Sequence, residues 1–146
     1  MTIPTATSFT GTATFTTWDE DPGWDTGAPV PRLAHAVVAF AFDGDLQGTS
    51  ACQFVLHYTE EASGAVVGLE RLDVRTALGE PGTVALRSEG TFGTAGVTVA
   101  WTTVPGSGTG ALAGLALTGG FTAGEHAKEW TWWLGTAGTG DDGAPG

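Results

Sequence analysis

The chain has 146 residues, of which 41% are hydrophobic and 14% charged, a composition too apolar for intrinsic disorder and a length typical of one domain. Its formal net charge of −11 repels phosphate backbones and anionic lipids, which disfavours nucleic acid and membrane surfaces as partners. The single cysteine excludes an internal disulfide. Because the amino terminus lacks the features of a secretory signal, we expect a cytoplasmic protein.

The local pattern indicates β-strands along almost the whole chain, because Thr, Val, Phe and Trp alternate with polar or small residues between closely spaced turn signals. After the first strand, residues 19–31 form a long loop. It carries Trp24 among Pro, Gly and Asp, and we interpret it as a lid over one end of the fold. The eight predicted strands cover residues 9–18, 33–42, 48–58, 65–75, 83–89, 97–103, 115–122 and 128–134.

Eight short strands with hairpin-length connections predict an all-β fold, an eight-stranded antiparallel up-and-down barrel, with a β-sandwich as the alternative. We assign residues 1–134 to a single barrel domain and residues 135–146 to a flexible tail rich in Gly and Ala. Alternation along the fourth strand places Glu70 on its interior face between Gly68 and Leu72. The other residues predicted to face the interior include Val38, Phe40, Phe42, Cys52, Phe54, Tyr58, Trp101, Trp130 and Trp132.

The run Pro105-Gly106-Ser107-Gly108-Thr109-Gly110 predicts a shaped connection between two strands, since glycine allows positive φ and close backbone approach. The run lacks the Lys of a phosphate-binding loop, and no helix begins there. With Leu112-Ala113-Gly114-Leu115 it resembles the DUF3224 family of small bacterial proteins. Further matches to that family are Trp18-Asp19-Glu20, Gly44-Asp45-Leu46-Gln47-Gly48 and Val67-Gly68-Leu69-Glu70-Arg71.

The resemblance extends from about Thr10 to Trp132 and implies a particular barrel. The DUF3224 family is similar in fold to allene oxide cyclase, and a related glycine loop occurs in dirigent proteins and spirotetronate-forming cyclases. Several of those barrels guide ring closure of an apolar molecule. The resemblance therefore implies a cyclase-like barrel without specifying a reaction.

Two residues are the candidate catalytic groups. Burial on an apolar face raises the pKa of a carboxyl, so Glu70 is a candidate general acid or base, the alternative being a structural carboxylate. The hydroxyl of Tyr58 is a candidate donor to a substrate carbonyl, the alternative being a packed ring that bonds a loop.

An aromatic lining is the predicted binding surface for an apolar substrate, the alternative being side chains that fill the barrel. His35 and His57 face outward and lack a third ligand, so neither a metal nor another cofactor is predicted. The predicted substrate-binding residues are Trp101, Trp130, Trp132, Phe15, Phe40, Phe42, Phe54, Cys52 and Trp24.

These residues predict a barrel that binds a small apolar molecule and guides a cofactor-free intramolecular cyclisation or isomerisation. Two alternatives stay open: a non-catalytic carrier or sensor of an apolar ligand, and a packed structural barrel that acts through its surface. The apolar outward residues Val37, Ala39 and Ala41 indicate a subunit interface, which would make a homodimer.

Overall fold

The computed structural model describes residues 7–23, 27–124 and 127–136, and all of its regular secondary structure is β. Bulky β-branched and aromatic residues recur at alternate positions, a pattern that suits a pleated, half-buried surface. The nine strands are β1 (Ser8–Asp21), β2 (Arg32–Gly44), β3 (Leu46–Glu60), β4 (Ser63–Thr76), β5 (Pro81–Gly93), β6 (Gly96–Thr103), β7 (Thr109–Gly110), β8 (Leu117–Ala123) and β9 (Glu129–Thr136).

Eight of these strands close into a ring. Neighbouring strands pair in the order β4-β3-β2-β1-β9-β8-β6-β5, and a further pairing of β4 with β5 completes the circle. Every pairing is antiparallel, so the predicted eight-stranded up-and-down barrel is confirmed. The two-residue β7 lies outside the ring against β5, and the sequence pattern did not reveal it.

The interior of the barrel contains the side chains that alternation predicts. Along β3, buried and exposed positions alternate without interruption from Ser50 to Thr59. The residues of β2, β4, β6 and β9 that are predicted to face inward are buried as well. β9 runs to Thr136, two residues beyond the predicted domain boundary, and residues 137–146 of the predicted tail lie outside the described part of the chain.

The glycine-rich connection between β6 and β8 closes one end of the barrel. Leu112 within it is fully buried, and Gly110 adopts a φ of 57° as the chain passes close to Pro81. A Cβ on Gly108 would lie 2.2 Å from the Leu112 carbonyl oxygen, so only glycine fits there. Ser107 ties the connection to β5, because its hydroxyl accepts from the Ala85 amide at 3.1 Å and donates to the Val104 carbonyl at 2.7 Å. The connection therefore acts as a plug.

Replacing Leu112 with Ala should lower the free energy of unfolding by about 2–5 kcal/mol, because a fully buried Leu leaves a cavity when truncated. Urea unfolding followed by circular dichroism measures the change. Leu78→Ala is the control, since Leu78 is 88% exposed in the turn after β4. An equal loss in both variants would show that Leu112 does not plug the barrel.

Candidate functional site

Glu70 projects into the barrel at the middle of β4. In the strand register it lies between Cys52 of β3 and Leu86 of β5, and only 1% of the residue is exposed. Ser50 donates a hydrogen bond of 2.6 Å to Glu70 Oε2, and Ser50 Oγ lies 3.7 Å from Cys52 Sγ. The carboxyl is therefore fixed on one side by its neighbour strand.

The second carboxyl oxygen, Glu70 Oε1, is buried without a hydrogen-bond partner, and so are Ser88 Oγ of β5 and Trp101 Nε1 of β6. Ser88 lies opposite Trp101 in the register of β5 and β6, and opposite Gly68 in that of β4 and β5. We call the group formed by Ser50, Cys52, Glu70, Ser88 and Trp101 the polar cluster. Because unsatisfied buried polar groups cost free energy, such a group in an otherwise apolar core calls for a functional explanation.

Burial raises the pKa of Glu70 to about 7 from its ordinary value of 4.5. The donors Ser50, Cys52 and Trp101 act in the opposite direction and moderate the rise. Trp101 favours the charged carboxylate by its proximity, although its indole nitrogen makes no hydrogen bond of normal geometry. A carboxyl that titrates near neutrality both donates and accepts a proton at physiological pH.

Cys52 is not a nucleophile in this setting. Burial and the neighbouring Glu70 charge raise the pKa of its thiol far above the ordinary range. A thiol without access to its thiolate form reacts slowly. Within the predicted lining, Cys52 is a small apolar side chain that packs beside the Glu70 carboxyl.

Tyr58 lies near one end of the barrel, away from the polar cluster. Its hydroxyl donates to Glu20 Oε2, and Trp18 Nε1 donates to the other oxygen of Glu20 at 3.1 Å. The guanidinium of Arg32 covers the ring at 3.9 Å. Burial raises the pKa of Tyr58, and the hydrogen bond to Glu20 adds to this effect. These contacts fix the ends of β1, β2 and β3 together.

The two predicted catalytic residues are therefore not neighbours. Cys52 pairs with Glu70 while Tyr58 pairs with Gly64, so the two side chains are separated by six positions along β3, or about 20 Å. The side chains that act on Glu70 are Ser50, Cys52 and Trp101 instead. Ser50 shares the strand parity of Cys52, a signal that was present in the sequence.

The predicted aromatic lining is a connected group. Phe40 and Trp130 have ring centroids 5.0 Å apart, and Phe42 stacks near Trp101 at 6.3 Å. Phe121, which the sequence did not single out, joins the two halves by contacting both tryptophans. Trp132 and Phe54 are buried beside this group.

Phe15 and Trp24 differ from the rest of the predicted lining. Phe15 is 39% exposed and packs edge-on against Trp18 and Trp130, beside an irregularity in the pairing of β1 with β2. Phe15 and Trp18 lie toward the end of the barrel that is opposite the plug. Trp24, the proposed lid residue, lies outside the described residues.

Two open depressions on the protein surface have volumes in the range of small-molecule sites, about 550 and 450 Å³. The first follows the outside of β6, β8 and β9 beside Trp133. The second lies at the end of the barrel away from the plug, next to Phe92 and Val97. Glu70 lines neither of them.

The remaining polar groups show no metal centre within the described ranges, where no set of three or more His, Cys, Asp or Glu side chains is arranged to hold an ion. His35 lies on the outer face and forms a 2.7 Å hydrogen bond with Gln53. In the same part of the chain there is also no helix with the length and apolarity needed to cross a membrane.

The fold and the polar cluster define a closed antiparallel β-barrel with a buried carboxyl whose pKa is about 7. The DUF3224 profile, described as a protein of unknown function, matches residues 9–133. The chain therefore belongs to the DUF3224 family. This match confirms the resemblance to the DUF3224 family that the sequence motifs indicated.

A solved structure from the same family has a similar fold. It is the crystal structure of a protein with unknown function from Shewanella oneidensis MR-1, with a TM-score of 0.66 and 20% sequence identity. The match covers 90% of this chain and 96% of that one. No curated protein matches the sequence.

Proposed function

We propose that the barrel binds a small, largely apolar molecule with a carbonyl or hydroxyl oxygen, and that Glu70 moves a proton on it in a cofactor-free isomerisation or cyclisation. The observation that supports this is the presence of three unpartnered buried atoms on the neighbouring strands β4, β5 and β6: Glu70 Oε1, Ser88 Oγ and Trp101 Nε1. One is a proton acceptor when ionised, and the other two donate hydrogen bonds. A ligand hydroxyl satisfies all three, because it donates to the carboxylate and accepts from the two donors, whereas a ligand carbonyl oxygen satisfies the two donors.

The chemistry that fits this arrangement is proton abstraction next to a carbonyl group. Glu70 Oε1 takes the proton from the carbon, the electron pair of the C–H bond forms a C=C bond, and the π pair of the C=O bond moves onto the oxygen. Trp101 and Ser88 then donate to the resulting enolate oxygen, as in an oxyanion hole. In a substrate with a C=C bond next to the enolate, Glu70 returns the proton to the far carbon of the dienolate and the double bond shifts, which completes an isomerisation. In a substrate with a second carbonyl group, the enolate carbon adds to that carbonyl carbon, its C=O electron pair moves onto oxygen, and Glu70 returns the proton to this oxygen, which closes a ring.

The protonation state of Glu70 suits both directions of this transfer. Because its pKa is about 7, comparable amounts of the acid and the carboxylate are present at neutral pH. The surrounding aromatic rings provide an apolar wall that excludes water from the reacting atoms. The ligand reaches the polar cluster from the end marked by Phe15 and Trp18, since Leu112 plugs the other end.

Binding and catalysis are tested with 2-indanone, 2-indanol and indane, which share one carbon skeleton and differ in the oxygen. Titration followed by NMR chemical shifts should show the ketone and the alcohol binding at least about tenfold more tightly than indane, because only they satisfy the buried donors. In D₂O the wild-type protein should accelerate deuterium incorporation beside the carbonyl of 2-indanone. Glu70→Gln should reduce that acceleration by at least about 100-fold.

Glu61→Gln is the matched control, because Glu61 is an exposed carboxyl in the turn between β3 and β4. Its exchange rate should equal that of the wild-type protein. Tight binding without deuterium exchange would favour a carrier or sensor over an enzyme. Equal, weak binding of all three compounds would favour a packed structural barrel.

A further inference from the structure

We propose that the outer face of β2, β3 and β4 associates with the same face of a second copy of this chain, forming a two-fold symmetric dimer. Five large apolar side chains on these neighbouring strands face solvent: Leu33, Val37, Val55, Val67 and Leu69, which are between 42% and 65% exposed. We call the surface they form the apolar face. This inference concerns the outside of the barrel and does not depend on the function proposed for its interior.

The apolar face is continuous in the strand register. One row across the sheet consists of Val37, Gln53 and Leu69, and the next consists of His35, Val55 and Val67. Small outward residues extend it on either side, namely Ala39, Ala41, Ala51 and Ala65. Scattered exposed apolar residues are ordinary, but a contiguous patch on one sheet face marks an interaction site.

The apolar face meets a second copy through a simple symmetry. The face consists of three neighbouring antiparallel strands with β3 at its centre. A two-fold axis parallel to β3 packs β2 of each copy against β4 of the other.

The charge distribution favours a second copy as the occupant. The chain has 16 acidic residues and a net charge of −11, so two copies repel each other over most of their surfaces. Between Leu33 and Ala39 on β2, and across the paired residues 51–57 of β3 and 65–71 of β4, no outward carboxylate is present. Asp73, in the row of Ala41, is the first acidic residue beyond this stretch. Arg71, at one border of the face, is the only Arg or Lys there. Two copies therefore meet with the least repulsion through this face.

The size of the face predicts a weak dimer. Three strands spaced about 4.8 Å apart and nine residues of about 3.4 Å each give an area of roughly 400 Å² before side-chain relief is counted. Stable complexes bury about 800 Å² per partner. We therefore expect dissociation in the micromolar range.

Sedimentation velocity between 1 and 200 μM tests the proposal on the full chain. The mass should rise from 14.8 kDa toward twice that value with concentration. Raising NaCl from 20 to 500 mM should strengthen the dimer, because salt screens the repulsion between two acidic copies. Leu69→Glu should weaken association at least about 30-fold, whereas Leu78→Glu should leave it unchanged, since Leu78 is exposed outside the face.

Several results would overturn the proposal: a wild-type protein that is monomeric at 200 μM, a dimer that weakens with added salt, or equal effects of the two substitutions. Near-UV circular dichroism establishes that each variant is folded. If Leu69→Glu does not fold, Val67→Thr replaces it, since this exposed position accepts a similar volume with a polar group. Val67→Thr should weaken the dimer about threefold, and an unchanged dimer would contradict the proposal.

Discussion

Trp132→Ala should lower the free energy of unfolding by about 3–5 kcal/mol, the largest loss we expect from a single truncation in this chain. Trp132 is 1% exposed and packs against Phe42, with ring centroids 5.4 Å apart. Its indole nitrogen donates to the Thr12 carbonyl oxygen of β1 at 2.9 Å. Gly11 makes room for the ring, since a Cβ there would lie 2.7 Å from it. The Trp132 side chain thus holds β9 against β1. This is the pairing between the last and the first strand of the chain.

Trp133→Ala is the matched control, because the neighbouring residue has the same side chain on the opposite face. Trp133 is 43% exposed and lies outside the barrel over Gly120. Its truncation should cost about 1 kcal/mol or less. Guanidinium unfolding monitored by far-UV circular dichroism compares the two variants. Losses of similar size would mean that the faces of β9 are assigned incorrectly.

The contrast between these two tryptophans shows how much of the fold is encoded locally. Side chains alternate across a strand with period two, so parity alone separates Trp132 from Trp133. The same rule places Glu70 inside the barrel and Val37 outside it. Strand count and hairpin-length connections then limit the architecture to a barrel or a sandwich. Pairing of β1 with β9 and of β4 with β5 selects the barrel.

The alternation of side chains along each strand could not predict which residues form the polar cluster. Parity states that a residue points inward, but contacts across the interior depend on the register and tilt of all eight strands. Trp101, two strands away from Glu70, acts on its carboxyl only because β4, β5 and β6 pair side by side. In the same way, Tyr58 meets Glu20 because β1 continues beyond its predicted end, to Asp21. Such long-range contacts carry no short-range sequence signal.

The plug was also only half predicted. Its glycines indicated a shaped connection, but nothing in the run from Pro105 to Gly110 shows that Leu112 is fully buried. The side chain reaches the interior because the connection folds back along β5 through the short β7. A two-residue strand is too short to produce a periodic pattern.

Glu70→Gln should remove a pH dependence of stability. The pKa of Glu70 is about 7 in the folded protein and near 4.5 in the unfolded chain. Between these values the folded state holds the proton more tightly, so stability falls as pH rises from about 4.5 to 7 and stays reduced above 7. The shift corresponds to about 3 kcal/mol. Gln keeps the shape without a charge, and its stability relative to wild type should rise by that amount across this range.

Urea unfolding at pH 4.5, 6, 7 and 8 measures this difference, with Glu61→Gln as the control that should show no such trend. The comparison also separates a structural role for Glu70 from a functional one. If the carboxylate were structural, its replacement would lower stability at every pH, because Ser50 would lose its hydrogen bond to the charged group. A carboxyl retained for proton transfer should instead yield a variant that is more stable at pH 8 and deficient in deuterium exchange.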